Sequence, residues 1–81
     1  MKIFKYKIDR EIKMPKGSVI VKVGLQAKVA HIWALVDPDD EMVTRRIWVA
    51  MTGSEAPKMP HIGTILHSDS YVEHYFDGGE Y

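Results

Sequence analysis

No cysteine occurs in the 81 residues, so neither a disulfide nor a thiolate zinc site holds the chain together. Neither sign of charge is in surplus: eleven Lys and Arg balance eleven Asp and Glu, for a formal net charge of 0. That balance argues against the broad positive field that duplex DNA, long RNA or an anionic membrane would draw. No apolar run approaches the ~20 residues that span a bilayer, and the opening "MKIFKYKIDREIK" alternates charge with apolar side chains. The expectation is a cytoplasmic, unprocessed chain that meets neither membrane nor long nucleic acid; the missing cysteine agrees with a reducing compartment. Sustained helical spacing is also lacking.

What is present is apolar content, with 46% hydrophobic and 10% aromatic residues. A domain of this size buries only roughly 60–65% of the surface that its unfolded chain exposes. With the covalent and metal staples of small domains missing, oligomerisation remains. We therefore expect one domain over residues 1–81 that forms a homo-oligomer through part of its apolar surface.

Short β-rich runs alternate with turn residues along the whole chain. They predict an all-β antiparallel sheet, barrel-like or sandwich domain of about six strands, with little or no helix. The strand candidates are Lys2 to Ile8, Ser18 to Gln26, Ala30 to Asp37, Val43 to Thr52, His61 to Ser68 and Tyr71 to Asp77. "MPKGS" (Met14 to Ser18) and "DPDD" (Asp37 to Asp40) read as turns, the second closing a hairpin. "GGEY" reads as a frayed end. Period two puts Val19, Val21, Val23 and Leu25 on one face of their strand. "AHIWALVD" is apolar on both faces and is the best core candidate.

The segment "VTRRIWVAMTGSEAP" has two distinct faces. Alternation places Val43, Arg45, Ile47, Val49 and Met51 towards the core, and Thr44, Arg46, Trp48, Ala50 and Thr52 on the opposite side. The adjacent arginines thus point opposite ways and cannot form one clamp. A guanidinium, an indole and a hydroxyl in line suit a planar base beside a phosphate, with Trp48 stacking and Arg46 donating a hydrogen-bonded fork. Gly53 and Ser54 would add backbone N–H donors where the strand ends. The plainer reading is an ordinary exposed or subunit-facing surface.

The four histidines have no paired-ligand spacing. His61 and His67 share a face by alternation, about 20 Å apart at ~3.3 Å per residue. His31 beside Trp33 reads as a hydrogen-bonded buried histidine. No nucleophile with its base, carboxylate pair or metal set is legible, so neither an enzyme nor a metal or cofactor is expected.

"MPKG" (Met14 to Gly17), "IWALVDPD" (Ile32 to Asp39), "RRIWVAMTG" (Arg45 to Gly53), "HIGTI" (His61 to Ile65) and "VEHYF" (Val72 to Phe76) run in order through the chain. In this pattern the sequence resembles a family of uncharacterised small phage and bacterial proteins, whose members commonly carry His where this chain has Ser54 and Trp where it has Glu73. The resemblance implies a phage origin and, by analogy of size and class, a phage anti-defence protein that sequesters a nucleotide immune signal. A small anionic nucleotide, such as a cyclic ADP-ribose derivative or cyclic dinucleotide, is then the expected ligand of Arg46, Trp48, Thr52, Gly53 and Ser54. The alternatives are a protein–protein inhibitor or accessory subunit and, last, a small phosphodiesterase.

Overall fold

The computed structural model describes all 81 residues, Met1–Tyr81, as seven β-strands and no helix. No helix long and apolar enough to cross a membrane is present. β1 (Lys2–Lys7), β4 (Val29–Val36) and β3 (Val19–Gln26) form a three-stranded antiparallel sheet in that order. β2 (Glu11–Pro15), β5 (Met42–Met51), β7 (Tyr71–Glu80) and β6 (His61–Ser68) form a four-stranded one. The all-β expectation stands, with one strand more than was read.

The additional strand is β2, lost because the Pro and Gly of "MPKGS" suggested a turn from Met14 onwards. Met14 and Pro15 instead finish the strand, pairing with Val43 and Met42 at the edge of the sheet, where Pro removes no needed donor. Chain direction also changes sheet more often than local turns suggest. At Ile8 to Arg10 the chain passes from one sheet to the other, the Ile8 amide donating to Ala30 O and the Ile47 amide to Arg10 O. "DPDD" likewise joins β4 to β5 across the two sheets, so it closes no hairpin. The hairpins are β3–β4, turned by Ala27 and Lys28 at φ 51° and 66°, and β6–β7.

The inner faces share one core. Ile32, Ala34 and Val36 of β4 meet Ile12 and Met14 of β2, Ile47 of β5, Ile65 of β6 and Tyr75 of β7. β3 departs from its expected alternation because a bulge falls between Ile20 and Lys22. Val23 turns inward with Ile20, while Val19, Val21 and Leu25 stay exposed. Val23 closes directly on β6: a Cβ at Gly63 would lie 2.7 Å from its Cβ, so only glycine lets the sheets approach there.

Two polar clusters flank this core on either side of Tyr75, one around buried Arg45 and one around the partly exposed Glu73. Arg45 points inward and forks onto Asp77, Nε to Oδ1 at 2.8 Å and Nη2 to Oδ2 at 2.6 Å, while Nη1 donates to Ser18 O at 2.8 Å. These bonds raise the guanidinium pKa and hold the Asp77 carboxyl below its ordinary value, against the opposing effect of burial. Beyond Tyr75, Glu73 accepts from Tyr75 Oη at 2.7 Å and Tyr71 Oη at 3.0 Å, with His67 Nε2 2.7 Å away. Burial pushes the Glu73 carboxyl up, and the hydrogen bonds from Tyr75, Tyr71 and His67 outweigh it. Burial likewise raises the Tyr75 phenol, reinforced by its bond to Glu73.

The end of the chain is ordered by pairing. Glu80 and Gly79 lie opposite Arg45 and Arg46, the Tyr81 amide donates to Thr44 O, and Glu80 accepts from the Gly17 amide. "GGEY" therefore finishes β7 and is not frayed.

Candidate functional site

β5 carries the site because Arg46, Trp48 and Thr52 face away from the core. Burial does not follow the expected alternation throughout: Thr44 and Ala50 of the outer set are buried, and Val49 and Met51, expected towards the core, are exposed where the strand runs past β2. Arg46 and Trp48 are exposed on that outer face, whereas Arg45 and Ile47 are buried on the inner one. Opposing directions for the two arginines therefore follow from the pleat, as expected. The floor under Arg46 and Trp48 is Gly78, the extra residue of a bulge in β7. A Cβ there would stand 2.8 Å from both Arg46 Cβ and Trp48 Cδ1, so the indole lies against bare backbone. Trp48 keeps 46% of its surface exposed on this floor.

Arg46 does not reach out alone. Its guanidinium lies 4.1 Å from the centroid of the Tyr81 ring, a cation–π contact. Tyr81 Oη in turn donates to Glu11, which pairs with Arg46 across the strands. Arg10, Glu11, Arg46, Ile47, Trp48 and Val49 line an open recess of about 720 Å³. It offers a fork, an indole face and one neighbouring carboxylate.

Thr52, Gly53 and Ser54 lie at the other end of the same face and line a second recess of about 290 Å³. The five residues singled out in the sequence thus share one surface but divide between two recesses. Thr52 and Trp48 stand ~13 Å apart along the strand at ~3.3 Å per residue. Of the two backbone donors expected at the turn, the Ser54 amide is engaged by Met51 O at 3.0 Å, so it does not point at a ligand.

The second recess holds groups that spacing did not reveal. His74 on β7 bridges two threonines, Nε2 to Thr52 Oγ1 at 2.7 Å and Nδ1 to Thr64 Oγ1 at 2.9 Å. Thr64 Oγ1 also meets His61 Nε2 at 3.0 Å. The result is a continuous chain Thr52, His74, Thr64, His61, in which each hydroxyl can donate one way and accept the other. His61 packs edge-on against Phe76 at 5.4 Å and stands 6.3 Å from the His74 ring. It reaches this face because a bulge at Ile62 shifts the register between His61 and Gly63. The expected sharing of a face by His61 and His67 therefore fails: His67 joins Glu73 and Tyr75 on the inner side. No group of three or more His, Cys, Asp or Glu converges as a metal set. His31 is half-buried, its Nδ1 2.8 Å from Val29 O.

The fold and this face define a small two-sheet β domain with a polar and aromatic outer surface. Over residues 1–80 the chain matches the family described as "Domain of unknown function (DUF7352)", and it belongs to that family. No curated protein and no solved structure matches it.

Proposed function

We propose that this protein is a non-catalytic binding module that captures a small anionic nucleotide on the outer face of its four-stranded sheet and works as a homo-oligomer. The observation that carries this reading is the alignment of Arg46, Trp48 and Thr52 on one face of β5, with the indole half-exposed on the Gly78 floor. Trp48 stacks on a base, Arg46 exchanges Tyr81 for phosphate, and Thr52 with the Gly53 turn supplies short polar contacts. The His74 and Thr64 hydroxyl chain orients the Thr52 proton. In keeping with the phage resemblance of the sequence, the ligand class is a nucleotide immune signal, a cyclic ADP-ribose derivative or cyclic dinucleotide, held out of circulation in the host cytoplasm as an anti-defence device.

Calorimetry against a panel of such nucleotides tests it. One member binds, Trp48→Ala weakens it by about 1–3 kcal/mol as expected for a lost base stack, and the nucleotide is recovered intact after heat denaturation. Arg46→Ala that stays folded and binds with unchanged affinity removes the phosphate assignment. Recovery of a hydrolysed product turns the protein into a phosphodiesterase working through His61 and His74. A second reading, a protein–protein inhibitor or accessory subunit, is favoured by the exposure of Trp48, Val49 and Met51 in one stretch. Silence across the nucleotide panel, with a defined host protein bound at the same face, decides for it.

A further inference from the structure

β5 is ten residues long, yet β2 pairs only with Met42 to Arg46. The last bond on that side is the Ile47 amide to Arg10 O, after which the chain before β2 turns away to the other sheet. Residues pointing backbone groups to one side of a strand alternate, so Val49 and Met51 aim theirs where Ile47 does. No strand lies there, and the open half-edge reads Trp48, Val49, Ala50, Met51, with 46%, 43% and 37% exposure at the three large side chains.

The other edges of both sheets are blunted. β1 carries Lys2, Lys5 and Lys7; β2 carries Lys13 and Pro15; β3 is bulged at Ile20/Lys22; β6 is shifted at Ile62 and His67 and packs beside β3. Lysines, prolines and bulges are how sheet edges avoid pairing with other chains. The open half of β5 has none of them. We infer that this half-edge pairs antiparallel with the same segment of a second copy, about a two-fold axis at Ala50, to give a continuous eight-stranded sheet through the dimer.

Register follows from which groups are free. Centring the axis on Val49 would require Ile47 to bond Met51 of the second copy, but the Ile47 amide already donates to Arg10 O. Centring it on Ala50 pairs Val49 with Met51 in both directions and forms about four backbone hydrogen bonds; two of them go to Met51 O, which already accepts from the Ser54 amide and takes them on its second lone pair. No charge lies between Trp48 and Thr52, so self-pairing opposes no like charges. The antiparallel run then carries each copy's turn, with Glu55, towards the recess of the other copy, where two cations, Arg10 and Arg46, outnumber one carboxylate, Glu11. That charge match and the uncharged, self-complementary ladder select a second copy over a foreign strand.

This pairing also completes the site. Trp48 and Thr52, ~13 Å apart in one chain, come opposite one another across the dimer at about 4.5 Å between Cα atoms, the spacing of a non-hydrogen-bonded pair. Each of two symmetric sites then takes Arg46 and Trp48 from one copy and Thr52 and the His74 chain from the other. This last step rests on the nucleotide reading; the dimer does not.

Light scattering is expected to give twice the 9.3 kDa chain mass for the parent and the single mass for Val49→Lys, which places a lysine on the open edge. Since the parent has no cysteine, Val49→Cys with Met51→Cys places exposed thiols opposite one another across the proposed axis, and mild oxidation links the double variant into covalent dimers, whereas Lys13→Cys on the β2 edge stays monomeric. Should Val49→Lys fail to fold, the cysteine pair decides alone. A monomeric parent overturns the proposal, as does a dimer in which the Val49→Cys, Met51→Cys variant does not cross-link. Dimerisation without any nucleotide binding keeps the interface and removes only the shared site.

Discussion

Arg45 shows how one residue can be misjudged by its type and rightly placed by its position. Arginine is rarely buried unless paired, and here the pairing is a two-pronged fork onto Asp77 with a third bond to Ser18 O. Because the Asp77 carboxyl is held below its unfolded value, it contributes stability that is present above the ordinary carboxylate range. That stability is lost as pH falls through the lowered folded value. Asp77→Asn leaves the Arg45 charge buried with half its fork, which we expect to cost about 3–5 kcal/mol at pH 7 by urea unfolding. The same variant flattens the acid limb of the stability profile. Replacing both partners together, Arg45→Met with Asp77→Leu, costs less than either single change, because no charge is stranded. Equal or additive losses in that cycle would mean that the pair is not the buried unit described.

At the scale of elements, what the sequence made legible was the pattern that alternation alone controls. β5 has no extra residue of its own, so the outward line of Arg46, Trp48 and Thr52 could be read directly, whereas the exposure of Val49 and Met51 and the burial of Thr44 and Ala50 depend on which neighbours cover them. Bulges break that reading. One extra residue at Val21, at Ile62 and at Gly78 each reverses the faces beyond it, and only the glycine announces its bulge by residue type. That is why His61 was placed with His67, and why the histidine and threonine chain beside Thr52 went unseen. Tyr81 escaped notice for another reason: a terminal "GGEY" looks frayed until a partner strand is known. Turn chemistry gives a cleaner handle. Ala27 and Lys28 both hold positive φ in the two-residue β3–β4 turn, a shape that favours Asn-Gly. Substituting Ala27→Asn with Lys28→Gly relieves the strain of two non-glycine residues and is expected to stabilise the domain by about 0.5–2 kcal/mol. An unchanged or lower urea midpoint would show that those side chains make compensating contacts.

Considered as a whole, the molecule has only eight residues in its buried apolar cluster, set in a body 41 × 29 × 16 Å across. The thin dimension limits how much surface one chain can shield, while Ile3, Val19, Trp48, Val49 and Leu66 remain exposed. For a chain this short, with no disulfide, association is the term most able to raise stability. The proposed pairing along β5 would extend the sheet at the one edge that nothing else blunts, and it links stability to assembly by mass action. A folded dimer that unfolds to two chains gains about 1.4 kcal/mol per tenfold rise in protein concentration, or about 0.7 kcal/mol per chain. For a domain of this length that moves the melting midpoint upward by about 3–6 °C per tenfold. Scanning calorimetry of the parent over two decades of concentration is expected to show that slope. Val49→Lys is expected to melt at one temperature throughout, below the concentrated parent. A parent midpoint that ignores concentration would mean that the 81 residues carry their own stability, and the open edge of β5 would then need another explanation.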